Sequence, residues 1–304
     1  MRSSSIHSLN ADTGLSQWKR RLWYFLNWIN NSIFPNWKSN RLAVRKFVPD
    51  LKAEFWEQTA PKSSPSRALS DLFWMQLPWQ RIHSTLGEIR ILDTGCGSGR
   101  YGIELQQYSR DRIAAYTGLD EYPHEDWSVV MKEHPFITLR QADSAQFESL
   151  IPSDANLFVS QSAIEHFPED LVYFSQLQDF IRGHQRPTLQ IHLFPSAACL
   201  KLYRYHGVRQ YTPRTVSMIA NLFADSRCNL FVLGGESCNR LHSDYITKPV
   251  LVDRRDDRRN SETGEYRIDL MKAINSDAIA NNNENNASFY ALVIETKIEP
   301  CLLS

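Results

Sequence analysis

The 304-residue chain lacks several things, and each absence removes a class of function. Cysteine is scarce: Cys96, Cys199, Cys228, Cys238 and Cys301 form an odd set with no CxxC pair. Neither a disulfide framework nor a thiolate zinc site is expected, and a reducing compartment is the default. Net charge is also missing, with 34 Lys and Arg against 34 Asp and Glu. That balance argues against a protein held to nucleic acid or an anionic surface by bulk charge. No apolar run approaches the ~18 residues of a membrane span. The basic, serine-rich first residues are followed by no apolar stretch of the secretory kind, so a cytoplasmic protein is expected. There is no internal repeat. What the chain does have is apolar material, 42% hydrophobic and 12% aromatic, which suits a globular core.

From Trp18 onward, Trp18, Leu22, Phe25 and Ile29 recur at helical spacing, with Lys19, Arg20 and Arg21 at the leading end. The pattern predicts an amphipathic helix with two readings: one packed on the domain behind it, or a lid or interfacial helix making peripheral membrane contact through residues 18–37. After a Pro61–Pro65 loop, Ser64 or Ser66 can cap a helix carrying Leu69, Leu72, Phe73 and Met75. Residues 1–81 are thus read as an N-terminal helical extension or lid. From residue 89 short apolar runs alternate with helical periods. Ile89–Leu92, Ala115–Leu119, Phe136–Leu139, Leu157–Val159 and Leu189–Phe194 read as strands, and residues 100–109, 125–134 and 169–183 as helices. Alternation of this kind predicts an α/β domain with a doubly wound, mostly parallel sheet over residues 82–304. A last strand lies in Phe289–Ile298. The charged run Asp253–Arg259 and the asparagine-rich run 281–286 mark residues 249–287 as a solvated insertion before it, with one short helix around Ile268–Ile279.

The most informative stretch is Asp93-Thr94-Gly95-Cys96-Gly97-Ser98-Gly99-Arg100, between an apolar strand and a helix. Glycines at a strand end let backbone approach a ligand, and the following helix offers free N–H groups. The bulky Arg100 stands where a dinucleotide fingerprint needs Gly or Ala, and there is no GxxxxGK[ST] loop. Asp120 ends the second strand, 21 positions beyond Gly99, where an acidic residue in an α/β site bonds ribose hydroxyls. Asp143, just past the third strand, can accept from an exocyclic amine.

Taken in order, Asp93, Gly95, Gly97, Gly99, Asp120, Asp143 and the segment Ser160-Gln161-Ser162-Ala163-Ile164-Glu165-His166 resemble the class I S-adenosylmethionine-dependent methyltransferases. The resemblance covers about residues 82–247 and the strand near 290. It implies a Rossmann-like, seven-stranded fold with S-adenosyl-L-methionine as cofactor. That cofactor would be held by Asp93, Gly95, Cys96, Gly97, Gly99, Asp120 and Asp143, with Ser160 and Gln161 lining its methionine end. The [DN]PP[YF] tetrad that accompanies methylation of base and glutamine amino groups is missing, so no nucleic-acid partner is expected. No grouped Asp and Asn pattern of the catechol type follows the fourth strand, so no metal is expected either. The resemblance therefore implies methylation, at oxygen, of a small-molecule or glycan-like or lipid-linked acceptor. His166 is the candidate base, with a structural histidine near a helix start as the other reading. Tyr205, His206, Arg209 and Tyr211 are candidates for holding a polar acceptor. Thr212-Pro213 reads as a helix cap. The rival reading is a scaffold of the same fold that binds the cofactor and transfers nothing.

Overall fold

A computed structural model describes residues 2–143, 146–280 and 284–303. Among these, eight strands form one sheet: β1 Leu42–Lys46, β2 Ile89–Thr94, β3 Ile113–Asp120, β4 Ile137–Gln141, β5 Leu157–Gln161, β6 Thr188–Phe194, β7 Ser226–Leu233 and β8 Phe289–Thr296. Their order is β1-β7-β8-β6-β5-β2-β3-β4. Only β8 is antiparallel, to β6 and β7. Strands covered by helices on both faces read as continuous apolar runs, and β6 and β8 are buried at every position. The chain runs from β2 outward to β3 and β4, then returns to place β5 on the other side of β2. The crevice beyond the carboxyl ends of β2 and β5 is thus the switch point where α/β sheets bind ligands.

The sheet has one strand more than the resemblance implies. β1 comes from the segment expected to be purely helical, and it extends the sheet beside β7. The chain before residue 82 is no separable extension. The helix Pro65–Met75, capped by Ser64 with Pro65 in its first turn, is buried at every position but Arg67. Its Leu69 and Phe73 share one core with Phe231 and Phe289. β7 escapes a reading by apolar runs because Arg227, Cys228 and Asn229 interrupt it. In the structure Arg227 pairs with Glu295 of β8, and Asn229 accepts from Arg45 of β1.

The insertion is only partly solvated. Asp253–Arg259 lies on the surface, and the run Asn281–Asn283 lies outside the described residues. The helix, however, runs from Thr263 to Ile279 and buries Tyr266, Leu270 and Ile274. Tyr266 donates to the Ser63 carbonyl and Arg267 to that of Trp56, which fasten it to the N-terminal helices.

The helix Gln17–Ser32 forms where the periodicity places it, but turned. Its inner face is Trp23, Asn27 and Asn30, while Trp18, Phe25 and Trp28 are exposed. The inward choice has a hydrogen-bonding reason. Trp23 Nε1 donates to the Gly207 carbonyl at 3.0 Å, which also accepts from the Ala11 amide at 2.9 Å, and Asn27 Nδ2 donates to the Val208 carbonyl at 3.1 Å, an acceptor that an apolar face would leave without this donor. Among the described residues no helix is long and apolar enough to cross a membrane.

Candidate active site

The turn after β2 lies directly against the segment after β5. A Cβ on Gly95 would sit 2.3 Å from the Ala163 Cβ, and one on Gly99 2.5 Å from a methyl of Leu139. Both glycines therefore permit close approach, Gly95 to the post-β5 turn and Gly99 to β4. Gly97 faces open space. Its N–H donates to Asp120 Oδ2 at 2.8 Å, and its carbonyl accepts from Trp127 Nε1 at 2.7 Å. The carboxylate at the tip of β3 thus reaches the glycine turn from the neighbouring strand. Asp120 Oδ1 accepts from the Tyr122 amide at 3.2 Å, and each oxygen keeps a further lone pair. Asp143 is exposed just past β4, and its Oδ1 accepts from the Gln146 amide.

Asp93 is buried beneath the turn, where Tyr116 donates to Oδ2 while Oδ1 has no protein partner. Burial pushes its pKa up to about 7, against the Tyr116 hydrogen bond and with help from Asp120. In the unfolded chain this carboxyl ionises near 3.8, so between ~4 and ~7 the fold holds a proton that unfolding releases. The contribution is full below that window and lost as pH rises through it. Urea denaturation across this range is expected to show a shallower fall in stability with pH for Asp93→Asn than for the parent. Identical slopes would mean that Asp93 is ionised in the fold.

The other predicted cofactor residues divide. Gln161, at the end of β5, accepts from Trp74 Nε1 at 3.0 Å and Tyr101 OH at 3.4 Å, so its side-chain oxygen is held by two core aromatics. Ser160 does not open onto the crevice: its side chain is buried and bonded to His192 Nδ1 at 2.8 Å, and burial holds that histidine down near 3. The Cys96 side chain likewise turns under the loop against Gly118, leaving only its backbone for a ligand.

On the acceptor side, the loop after β6 folds back over the post-β5 turn. Val208 N–H donates to the Glu165 carbonyl at 2.8 Å, and Gly207 approaches the same carbonyl. His166 and His206 are thereby brought edge to face, with ring centres 4.6 Å apart. A residue that no motif marks completes the group. Asp12, in a short 3-10 turn, lies 2.7 Å from His166 Nδ1 and accepts the Gly207 amide at 3.0 Å. Glu165 is 1% exposed, and its Oε1 lies 3.7 Å from His206 Nε2 and 3.9 Å from His166 Nε2. Its carboxylate raises the His206 pKa above the usual range, against the effect of burial.

Three predicted acceptor residues are not brought to this group. Arg209 and Tyr211 are fully buried. Arg209 Nη1 lies 3.2 Å from Asp170 Oδ2, and Tyr211 OH donates to the same oxygen at 3.0 Å, so both serve an internal ion pair. Tyr205 turns toward the N-terminal helix, its ring 6.0 Å from Trp23 and under the guanidinium of Arg20. A separate cleft of about 570 Å³ lies between helices Glu236–His242 and Thr263–Ile279. No glycine-turn residue lines it, so the switch-point crevice remains the candidate site.

No protein-family model matches the chain. No curated protein matches it significantly in sequence. Solved structures do. A protein described as a candidate sarcosine dimethylglycine methyltransferase from Galdieria sulphuraria superposes with a TM-score of 0.50 at 14% identity, over 91% of this chain and 98% of that one. A SAM-dependent methyltransferase from Archaeoglobus fulgidus gives 0.43 at 15% identity, over 81% and 98%. The plantazolicin methyltransferase BamL, in complex with a triazolic desmethylPZN analogue and SAH, gives 0.46 at 11% identity, over 80% and 87%. The fold is that of the class I S-adenosylmethionine-dependent methyltransferases, as the first of these likenesses and the strand order establish.

Proposed function

We propose that the chain is an S-adenosylmethionine-dependent methyltransferase acting at oxygen on a small-molecule, glycan-like or lipid-linked acceptor. The observation that carries the reading is the contact of Gly95 with Ala163, which joins the glycine turn and the Glu165–His166 segment along one crevice. The residues present fit the cofactor. Gly97 leaves open space beside the turn, Asp120 keeps lone pairs for ribose hydroxyls, and Asp93 has a carboxyl oxygen without a protein partner. When bound, the cofactor would supply a methyl group already activated by its sulfonium. The chain's own part is then to align the acceptor, exclude water and accept a proton. Asp12 holds His166 by Nδ1 and leaves Nε2 as the nitrogen with a free lone pair at the acceptor end of the crevice. Incubating the purified protein with cell extract and methyl-labelled cofactor tests the reading. The expected product is a labelled methyl ether or ester, whereas cofactor binding with no label transferred would support the scaffold reading.

The lipid-linked form of the acceptor draws support from the turned helix. Trp18, Phe25 and Trp28 are 63%, 53% and 54% exposed on a helix whose first turns carry Lys19, Arg20 and Arg21, an apolar face with cations at one end suited to an anionic bilayer surface. The protein is expected to float with phosphatidylglycerol vesicles and the double variant F25S/W28S to stay behind. Wild-type protein left in the dense fraction would restrict the acceptor to soluble molecules.

A further inference from the structure

The carboxylate of Glu165 is poorly accounted for by the protein alone. It is buried, and neither oxygen has a hydrogen-bond partner. A bare carboxylate removed from water in this way is unfavourable unless positive charge or a hydrogen-bond donor faces it. What faces it is a pair of imidazole nitrogens, His206 Nε2 at 3.7 Å and His166 Nε2 at 3.9 Å from one oxygen. These separations are too long for hydrogen bonds. Ligand atoms sharing an ion at ~2.1 Å stand roughly 3.0–3.5 Å apart, so a small inward movement of two half-exposed rings would close them on a cation. Asp12 adds the outer contact that metal-bound histidines ordinarily have. Its carboxylate at 2.7 Å holds His166 by Nδ1 and points the other nitrogen inward.

We propose that Glu165, His166 and His206 bind one divalent transition-metal ion at the acceptor end of the crevice, with Asp12 orienting His166. Two imidazoles and one carboxylate select borderline ions such as zinc, cobalt or nickel over magnesium and calcium, which prefer oxygen ligands. Three protein ligands leave coordination positions open. An acceptor hydroxyl bound there would lose its proton to solvent more readily, and His166 would serve as a ligand in place of a base. The inference rests on the methyl-transfer reading only for the identity of what occupies the open positions. It also replaces the expectation of a metal-free site.

Chelator-treated full-length protein titrated with cobalt(II) tests it. One equivalent is expected to bind by equilibrium dialysis, with a visible ligand-field band that zinc abolishes and excess magnesium does not. His206→Ala, at a half-exposed position that leaves the core intact, should weaken binding by roughly 100-fold. Glu165→Gln, which keeps the buried shape, should remove the band. Absence of bound cobalt, or equal cobalt affinity in His206→Ala, would overturn the proposal. A parallel cofactor titration keeps the two readings apart. Cofactor binding without cobalt removes the metal site alone, and cobalt binding without cofactor removes the methyltransferase reading alone.

Discussion

Gly95→Val is expected to abolish S-adenosylmethionine binding, lowering affinity by at least ~100-fold, which corresponds to ~2.7 kcal/mol. Gly95 has φ +79°, in the left-handed region, and a Cβ there would lie 2.3 Å from that of Ala163. Strain of ~1–3 kcal/mol from the backbone therefore adds to a collision that only a shift of the post-β5 turn relieves. That turn leads into Glu165 and His166, so both sides of the crevice move together. The geometry also predicts a partial rescue. Gly95→Ala combined with Ala163→Gly removes the collision and leaves the backbone cost, so it should bind better than Gly95→Ala alone. Calorimetric titration with S-adenosylhomocysteine reads both effects. Parental affinity in Gly95→Val would mean that the glycine turn is not the cofactor cradle.

Arg209→Ala should lower global stability by ~3–5 kcal/mol, because it strands Asp170 as an unpaired charge in the interior. Beside Arg209 and Tyr211, Asp170 accepts from the Ser4 amide at 2.8 Å and from the Ser4 hydroxyl. Arg209 also donates to the Pro168 carbonyl at 2.9 Å and the Ser3 hydroxyl at 3.0 Å. The network thus ties the beginning of the chain to the start of helix Asp170–His184, close in sequence to the Asp12 turn. Chemical denaturation checks the magnitude. Asp170→Asn, which strands Arg209 as the uncompensated buried charge in its turn, should cost about as much as Arg209→Ala. A loss below ~1 kcal/mol for Arg209→Ala would place the pair in contact with water and restore Arg209 as an acceptor-binding candidate.

What could be read from the sequence follows from range. The glycine turn, Asp120 and strands β2 to β6 announce themselves through apolar runs and local turn chemistry, and all lie where those signals place them. β1 and β7 were hidden because their partners supply what their own residues lack: Arg45, Arg227 and Asn229 fit inside or beside a sheet only through cross-strand partners. Arg209 and Tyr211 read as binding residues because polar side chains in a loop are exposed by default, and only the tertiary position of Asp170 reverses that. The turned helix has the same origin, since the Val208 carbonyl, far along the chain, takes its donor from Asn27 on the inner face and Trp23 adds a second donor to the Gly207 carbonyl. Asp12 was beyond reach: it sits 154 residues from His166, in a turn whose own sequence shows only an asparagine cap.

The most direct test of the account is calorimetric titration of the purified chain with S-adenosylmethionine, run beside NAD as a competing nucleotide. The account predicts one-to-one binding of the sulfonium cofactor, no heat from NAD, and weakening by ~1–3 kcal/mol in Asp120→Ala as ribose contacts are lost. Binding of NAD in its place, or no binding of S-adenosylmethionine at all, would contradict it.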